Sequence, residues 1–239
     1  MNKLITYETL RRFTYSNDDI CKGEIKGIVL EFIGLGNTVI YNDHTPEGVY
    51  FAEKGIIFVH PYCNPWSWMN DQAVAYVDEI IDVLFEKYDL GDDTPIISTG
   101  GSMGGQSALT YTAKAKRTPK ACVTNCPVCD LVFHFSERPD LPRTLYSAFF
   151  DVSGTAEEAI ATASPLHLAN VMPKVKYVIF HCGRDNAVNI DSHSRKFVDK
   201  MKTIGHDVDF IVVPGCGHCA LPPDVRAQFY DKVISAIEN

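Results

Sequence analysis

Short apolar runs alternate along this chain with longer stretches whose apolar residues recur every three or four positions. The short runs are Gly27–Ile33, Gly55–His60, Pro95–Thr99, Lys120–Asn125, Lys176–His181 and Val208–Val213. The longer stretches carry helix signals. Thr45-Pro46-Glu47 offers a cap, a proline at the first helical position and an acidic first turn. Asn70-Asp71 precedes Val74, Val77, Ile81 and Leu84 at helical spacing, and a further helix is expected from Met103 to about Arg117. Another near Ile190–Ile204 stops at Gly205, and the last follows Pro222-Pro223 with Val225, Phe229, Val233 and Ile237 on one face. Strand and helix in turn predict an α/β protein with a mostly parallel central sheet and helices on both faces, a single domain over 1–239.

One segment breaks the rhythm. From about Asp130 to Pro165 the chain reads as irregular and aromatic, with Phe133, Phe135, Tyr146, Phe149 and Phe150 among several prolines. It forms either a small cap over the strand ends, where α/β proteins bind ligands, or a surface excursion packing its own aromatics. The sequence leaves both open. No internal repeat or low-complexity stretch interrupts the pattern.

The sharpest chemical signal is Gly100-Gly101-Ser102-Met103-Gly104-Gly105, a Gly-x-Ser-x-Gly directly after an expected strand and before an expected helix. A tight strand-to-helix turn lifts the serine hydroxyl clear of the backbone, and its flanking glycines let neighbouring segments approach. The helix start leaves the Met103 N–H without an intrahelical acceptor, aimed where negative charge would develop. A serine hydroxyl needs a base, and this arrangement orders its partners Ser, Asp, His along the chain. Asp185 follows the run ending at His181, and His218 follows the run ending at Val213. Asp130 and Asp191 are the alternative acids.

Composition bounds the partners. The 239 residues carry a net charge of -8, which argues against nucleic acid or an anionic membrane as partner. No apolar run approaches the roughly 18 residues needed to span a bilayer. Glu8, Arg11 and Arg12 break up the first apolar residues, so no secretory leader is expected and the location reads as cytoplasmic. The 8 cysteines, several inside strand-like runs, then read as reduced thiols. Nothing signals an oligomeric state.

Taken together, Gly100-Gly-Ser-Met-Gly-Gly105, Ser164-Pro-Leu-His167, Val178 to Asp185 with Val188, and Gly205-His-Asp-Val-Asp-Phe to Pro214-Gly-Cys-Gly-His218 resemble an α/β-hydrolase. More narrowly they resemble the catalytic domain of the prolyl oligopeptidase family and its small esterase relatives, over roughly residues 25 to 235. The resemblance implies an eight-stranded sheet, acyl transfer to water and no cofactor or metal. It also implies a second oxyanion donor at the Leu35 N–H, beside Gly34 and Gly36. Many relatives carry His-Gly in that turn, where this chain has Ile33-Gly34. A small-molecule carboxylic ester is the first expectation for substrate, and a short peptide the second. Trp66 and Trp68 beyond His60, with Phe133 and Phe135, are candidate walls of the substrate pocket.

Three weaker signals point elsewhere. Cys216-Gly-His-Cys219 matches a redox motif, but lies at the far end of the chain and contains the histidine the triad needs. Cys122, Cys126 and Cys129 lack a recognisable fourth ligand for structural zinc. Ile33-Gly-Leu-Gly36 begins a dinucleotide fingerprint but has Val39 where its third glycine belongs.

Overall fold

The computed structural model describes residues 4–239. Its strands are β1 (Thr14–Ser16), β2 (Gly27–Phe32), β3 (Ile56–Pro61), β4 (Ile96–Gly101), β5 (Ala121–Asn125), β6 (Lys176–Cys182) and β7 (Val208–Val213). They form one sheet in the order β1-β3-β2-β4-β5-β6-β7, parallel throughout except for the antiparallel edge strand β1. The sheet has seven strands among the described residues, not the eight implied by resemblance. β1 is three residues long, too short to show a period in sequence.

The helices are α1 (Pro46–Ala52), α2 (Asp71–Tyr88), α3 (Met103–Lys114), α4 (Leu131–Glu137), α5 (Pro142–Phe149), α6 (Ala156–Ala161), α7 (Pro165–Leu168), α8 (Lys196–Thr203) and α9 (Pro223–Glu238). Side-chain alternation distributes them over two faces. Ile28, Leu30, Ile57, Val59 and Ile179 bury against Val77, Ile81 and Leu84 of α2, Leu109 of α3 and Phe197 of α8. Val29, Ile56, Phe58, Val178 and Phe180 bury against Phe51 of α1 and Phe229, Val233 and Ile237 of α9. Strands covered on both sides must be apolar at nearly every position, which is why they read as runs.

The caps behave as the residues imply. Thr45 Oγ1 accepts from the Gly48 N–H at 3.0 Å, and Asn70 Oδ1 from the Ala73 N–H at 2.9 Å. α3 ends at Lys114 rather than near Arg117, and the helix before Gly205 opens with a π turn at Asp191–Arg195. None of the described helices is long and apolar enough to cross a membrane.

Residues 130–165 are not irregular. They hold α4, α5 and α6, started by Asp130, Leu141 and a Thr155–Glu158 capping box. Leu131, Leu141, Leu145, Phe149 and Ile160 pack with Ile33 after β2, Met103 after β4 and Val188 after β6. The segment therefore sits on the carboxyl ends of the parallel strands. Its short helices escape the sequence pattern because each is too brief for a sustained period.

Candidate active site

The parallel strands deliver their following loops to one edge of the sheet. β2 pairs with both β3 and β4, so consecutive connections diverge between β2 and β4, where an open sheet leaves a crevice. Ser102 follows β4 at that crevice with φ 59 and ψ −125, in the left-handed half of backbone space. Such a conformation costs about 1–3 kcal/mol and persists where the surroundings over-determine it. Here the Ser102 N–H donates to Asn125 O at 3.0 Å, and its carbonyl accepts from the Gln106 and Val128 N–H groups at 3.1 and 3.3 Å. A Cβ on Gly100 would lie 2.6 Å from the Gly104 carbonyl oxygen, and one on Gly104 would overlap the Phe32 carbonyl. No side chain fits at either position, so β2, β4 and α3 close tightly beneath the serine.

His218 Nε2 lies 2.8 Å from Ser102 Oγ, and His218 Nδ1 lies 2.7 Å from Asp185 Oδ2. Asp185 Oδ1 accepts from the Ala187 and Val188 N–H groups at 2.8 and 2.9 Å, with the side chain shielded from solvent. Burial by itself would raise the Asp185 pKa, but the hydrogen bonds from His218, Val188 and Ala187 outweigh it and hold it at about 2. An ionised carboxylate only accepts, so His218 Nδ1 carries the proton and Nε2 presents its lone pair to the serine hydroxyl. The Asp185 hydrogen bond raises the His218 pKa against the opposing effect of burial. This geometry can move a proton from a serine oxygen to an imidazole.

Sequence reading missed His181, which pins the acid loop. Burial lowers its pKa, so the neutral ring donates from Nε2 to Val188 O at 3.1 Å and accepts from Ser194 at Nδ1, 2.7 Å away. A histidine at the end of an apolar strand is the only signal for this. The alternative acids lie elsewhere. Asp130 caps α4 through the Phe133 N–H at 3.1 Å and pairs with Lys196 Nζ at 2.9 Å. Asp191 pairs with Arg195 at 2.7 Å on the surface.

Met103 is the first residue of α3, where a backbone N–H lacks an intrahelical acceptor. Leu35 lies in a turn in which the Asn37 N–H donates to Gly34 O at 3.2 Å. Its side chain packs in the apolar cluster that buries Met103.

The four aromatic candidates are dispersed. Trp68 is 1% exposed, in the cluster with Met103, and donates from Nε1 to Thr144 Oγ1 at 3.1 Å. Trp66 lines a cavity of about 440 Å³ with Tyr76 and Ala148. Phe133 packs edge-on to His193, and Phe135 borders a cavity of about 170 Å³ beneath Tyr146 and Phe150. None of them lines the cleft of about 420 Å³ that His218 lines with Arg138, Arg184, Asn186, Ala187 and Gly217.

Residues 69–236 match the prolyl oligopeptidase family. No curated protein matches the chain by sequence. Among solved structures it is similar to an acylaminoacyl peptidase in complex with Z-Gly-Gly-Phe-chloromethyl ketone, at 17% identity and TM-score 0.71, covering 91% of this chain and 37% of that one. Dipeptidyl peptidase 4 of Porphyromonas gingivalis is similar at 16% identity and TM-score 0.67, covering 92% of this chain and 31% of that one. Esterase PE8 is similar at 17% identity and TM-score 0.60, covering 88% of this chain and 93% of that one. The chain thus spans about a third of the peptidases' length. These likenesses show the α/β-hydrolase fold.

Proposed function

We propose, from the premise that this chain belongs to the prolyl oligopeptidase family, that it is a serine hydrolase cleaving carboxylic esters through an acyl-enzyme. Ser102 is the nucleophile, His218 the general base and then the general acid, and Asp185 the group that orients the imidazole. Oγ attacks the ester carbonyl as His218 takes its proton. The Met103 and Leu35 N–H groups receive the oxyanion, and the alkoxide leaves with the proton from His218. Water, deprotonated by the same imidazole, then releases the acid. No step calls on a metal or cofactor.

The observation that carries this reading is the continuous contact from Ser102 Oγ through His218 to Asp185, at 2.8 and 2.7 Å. The helical segment 130–165, packed on the loops that hold these residues, reads as a small cap on a single α/β domain. Esters are favoured over peptides by the lining of the cleft beside His218. It is lined by Arg138, whose guanidinium is paired with Asp140, by Arg184 and by Asn186, and no carboxylate among the described residues lines it to hold a peptide's amino terminus. The likeness to esterase PE8 over 93% of that chain supports the same choice. A short-peptide hydrolase is the second reading, favoured by the family match and the peptidase neighbours.

The test compares p-nitrophenyl acetate with an aminoacyl-naphthylamide on the purified protein. Ester turnover that dominates supports the proposal, and turnover of the amide alone replaces it with the peptidase. Failure of a fluorophosphonate to label Ser102 sinks both.

A further inference from the structure

The cysteines around His218 have no part in that mechanism. All are free thiols, and two of them crowd the imidazole. Cys219 holds its Sγ 3.8 Å from His218 Nε2, the same nitrogen that faces Ser102. Cys126 follows β5 with φ 47, and its Sγ accepts from the Cys182 N–H at 3.2 Å. The donor atoms of Cys126, His218 and Cys219 all lie within 4.8 Å of one another.

A tetrahedral zinc ion takes sulfur at about 2.3 Å and nitrogen at about 2.0 Å, so its donors stand roughly 3.5–3.8 Å apart. The His218–Cys219 edge already has that length. We propose that Cys126, His218 and Cys219 form a site for a thiophilic divalent cation, zinc, which occupies the lone pair of the base and stops hydrolysis. The stop, though not the binding, rests on the hydrolase reading.

Charge, outer contacts and access all favour such a site. Two thiolates and a neutral imidazole cancel the two charges of the ion, which suits a site whose Cys126 is fully buried. The Asp185 contact to His218 Nδ1 is the carboxylate–histidine partnership that orients metal-bound imidazoles elsewhere. The Cys182 N–H supports a thiolate at Cys126. Cys219 opens onto a cavity of about 290 Å³ between Asn125 and Arg226, through which an ion can enter. On binding, two S–H bonds give way to two zinc–sulfur bonds, and both protons leave to solvent without any change of oxidation state. Because both thiols must lose their protons to bind, affinity must weaken as the pH falls.

Two other three-donor clusters occur among the described residues, and neither offers the same chemistry. In Cys126, His181 and Asp185 the nitrogen facing the cluster, His181 Nε2, carries the proton it donates to Val188 O. The second is His134, Glu137 and His193. His193 Nδ1 accepts from the Cys129 and Asp130 N–H groups at 3.2 Å each, which leaves the proton on Nε2. That N–H donates to Glu137 Oε2 at 3.0 Å, so the nitrogen facing the cluster has no lone pair to give.

The test uses the whole chain, kept reduced and stripped of metal, with cobalt(II) as the spectroscopic probe and zinc as competitor. One equivalent of cobalt should raise a thiolate-to-metal charge-transfer band, release about two protons and be displaced by zinc. Cys126→Ser and Cys219→Ser should each weaken zinc binding about tenfold or more, on the scale by which even outer partners alter affinity. Inhibition by zinc, normalised to each variant's own rate, should weaken in parallel. Absence of the band, or loss of binding only in His134→Ala, overturns the site. Zinc binding at the thiols without inhibition overturns its placement on the base. A protein that shows the band yet hydrolyses nothing leaves the site standing and sinks the hydrolase reading.

Discussion

The elbow around Ser102 and the helical segment over it meet at the same strand ends but are held together by opposite means. In the elbow the constraint is backbone against backbone. Gly100 and Gly104 have no room for a Cβ, and three hydrogen bonds fix the strained serine. In α4 to α6 the constraint is side chain against side chain, with Leu131, Leu141, Leu145 and Phe149 buried while Tyr146 and Phe150 are each 71% exposed. Backbone contacts hold an atom to a fraction of an ångström and admit almost no substitution. Side-chain packing admits volume-conserving exchange. The proposed mechanism therefore places its reaction chemistry on the first, and a role for the second in selecting substrates is what the ester panel below tests.

The largest effect should come from breaking the elbow's chemistry alone. Ser102→Ala should lower kcat by about 10⁶-fold with an unchanged circular dichroism spectrum, because nucleophile and base act as a unit. More than a tenth of wild-type turnover on every substrate would remove the serine from its role.

The next comparison is between carboxylates. Asp185→Asn should cost about 10⁴-fold in kcat, since the amide favours the wrong imidazole tautomer. Asp130→Asn, which retains an N-cap for the segment's first helix, should cost far less, and the exposed Asp191→Asn least of all. A greater loss at Asp130 would move the acid to the β5 loop.

The pH profile separates the two regions in a single experiment. Only neutral His218 accepts the serine proton, and its pKa lies above the ordinary value of about 6.5. Activity should therefore rise with pH through a midpoint above that value. The stability that the Asp185–His218 contact adds through the raised imidazole is complete below about 6.5 and is lost as pH rises through the folded value. From the acid side, the depressed Asp185 stabilises above about 3.9 and loses its contribution as pH falls toward about 2. His134 in the segment, buried and pushed down to about 4, should leave the activity limb unmoved. A midpoint below 6.5 for kcat/KM contradicts the hydrogen-bonded His218.

The smallest effects on turnover belong to the segment and to Trp68, which packs with it. Trp68→Ala should destabilise by about 3–5 kcal/mol in denaturant titration, because a buried indole and its bond to Thr144 are lost. Tyr146→Ser should change stability by no more than about 0.5 kcal/mol. If the segment meets substrate, its mark will be a raised KM for aromatic esters at constant kcat. An unchanged KM across an ester panel would make the segment structural only.

How much of this could be read in advance follows from the same distinction. The sequence by itself determined the parallel strands, because burial on both faces makes them continuous apolar runs. It determined the helix starts at Thr45 and Asn70, because capping is a contact between near neighbours. It marked the elbow and the loops holding Asp185 and His218, because steric need for glycine and strand-end position are local features. Only the tertiary structure decided what depends on distant parts of the chain meeting. β1 exists because β3 offers it an edge, and α4 to α6 because the strand-end loops offer them an apolar floor. His181 reaches Ser194 and Val188 only once β6 and the π turn are docked. Cys126 and Cys219, 93 positions apart in sequence, meet at His218 because β5, β6 and β7 lie side by side. No local pattern encodes such a meeting, since it is the sheet order that brings the residues together.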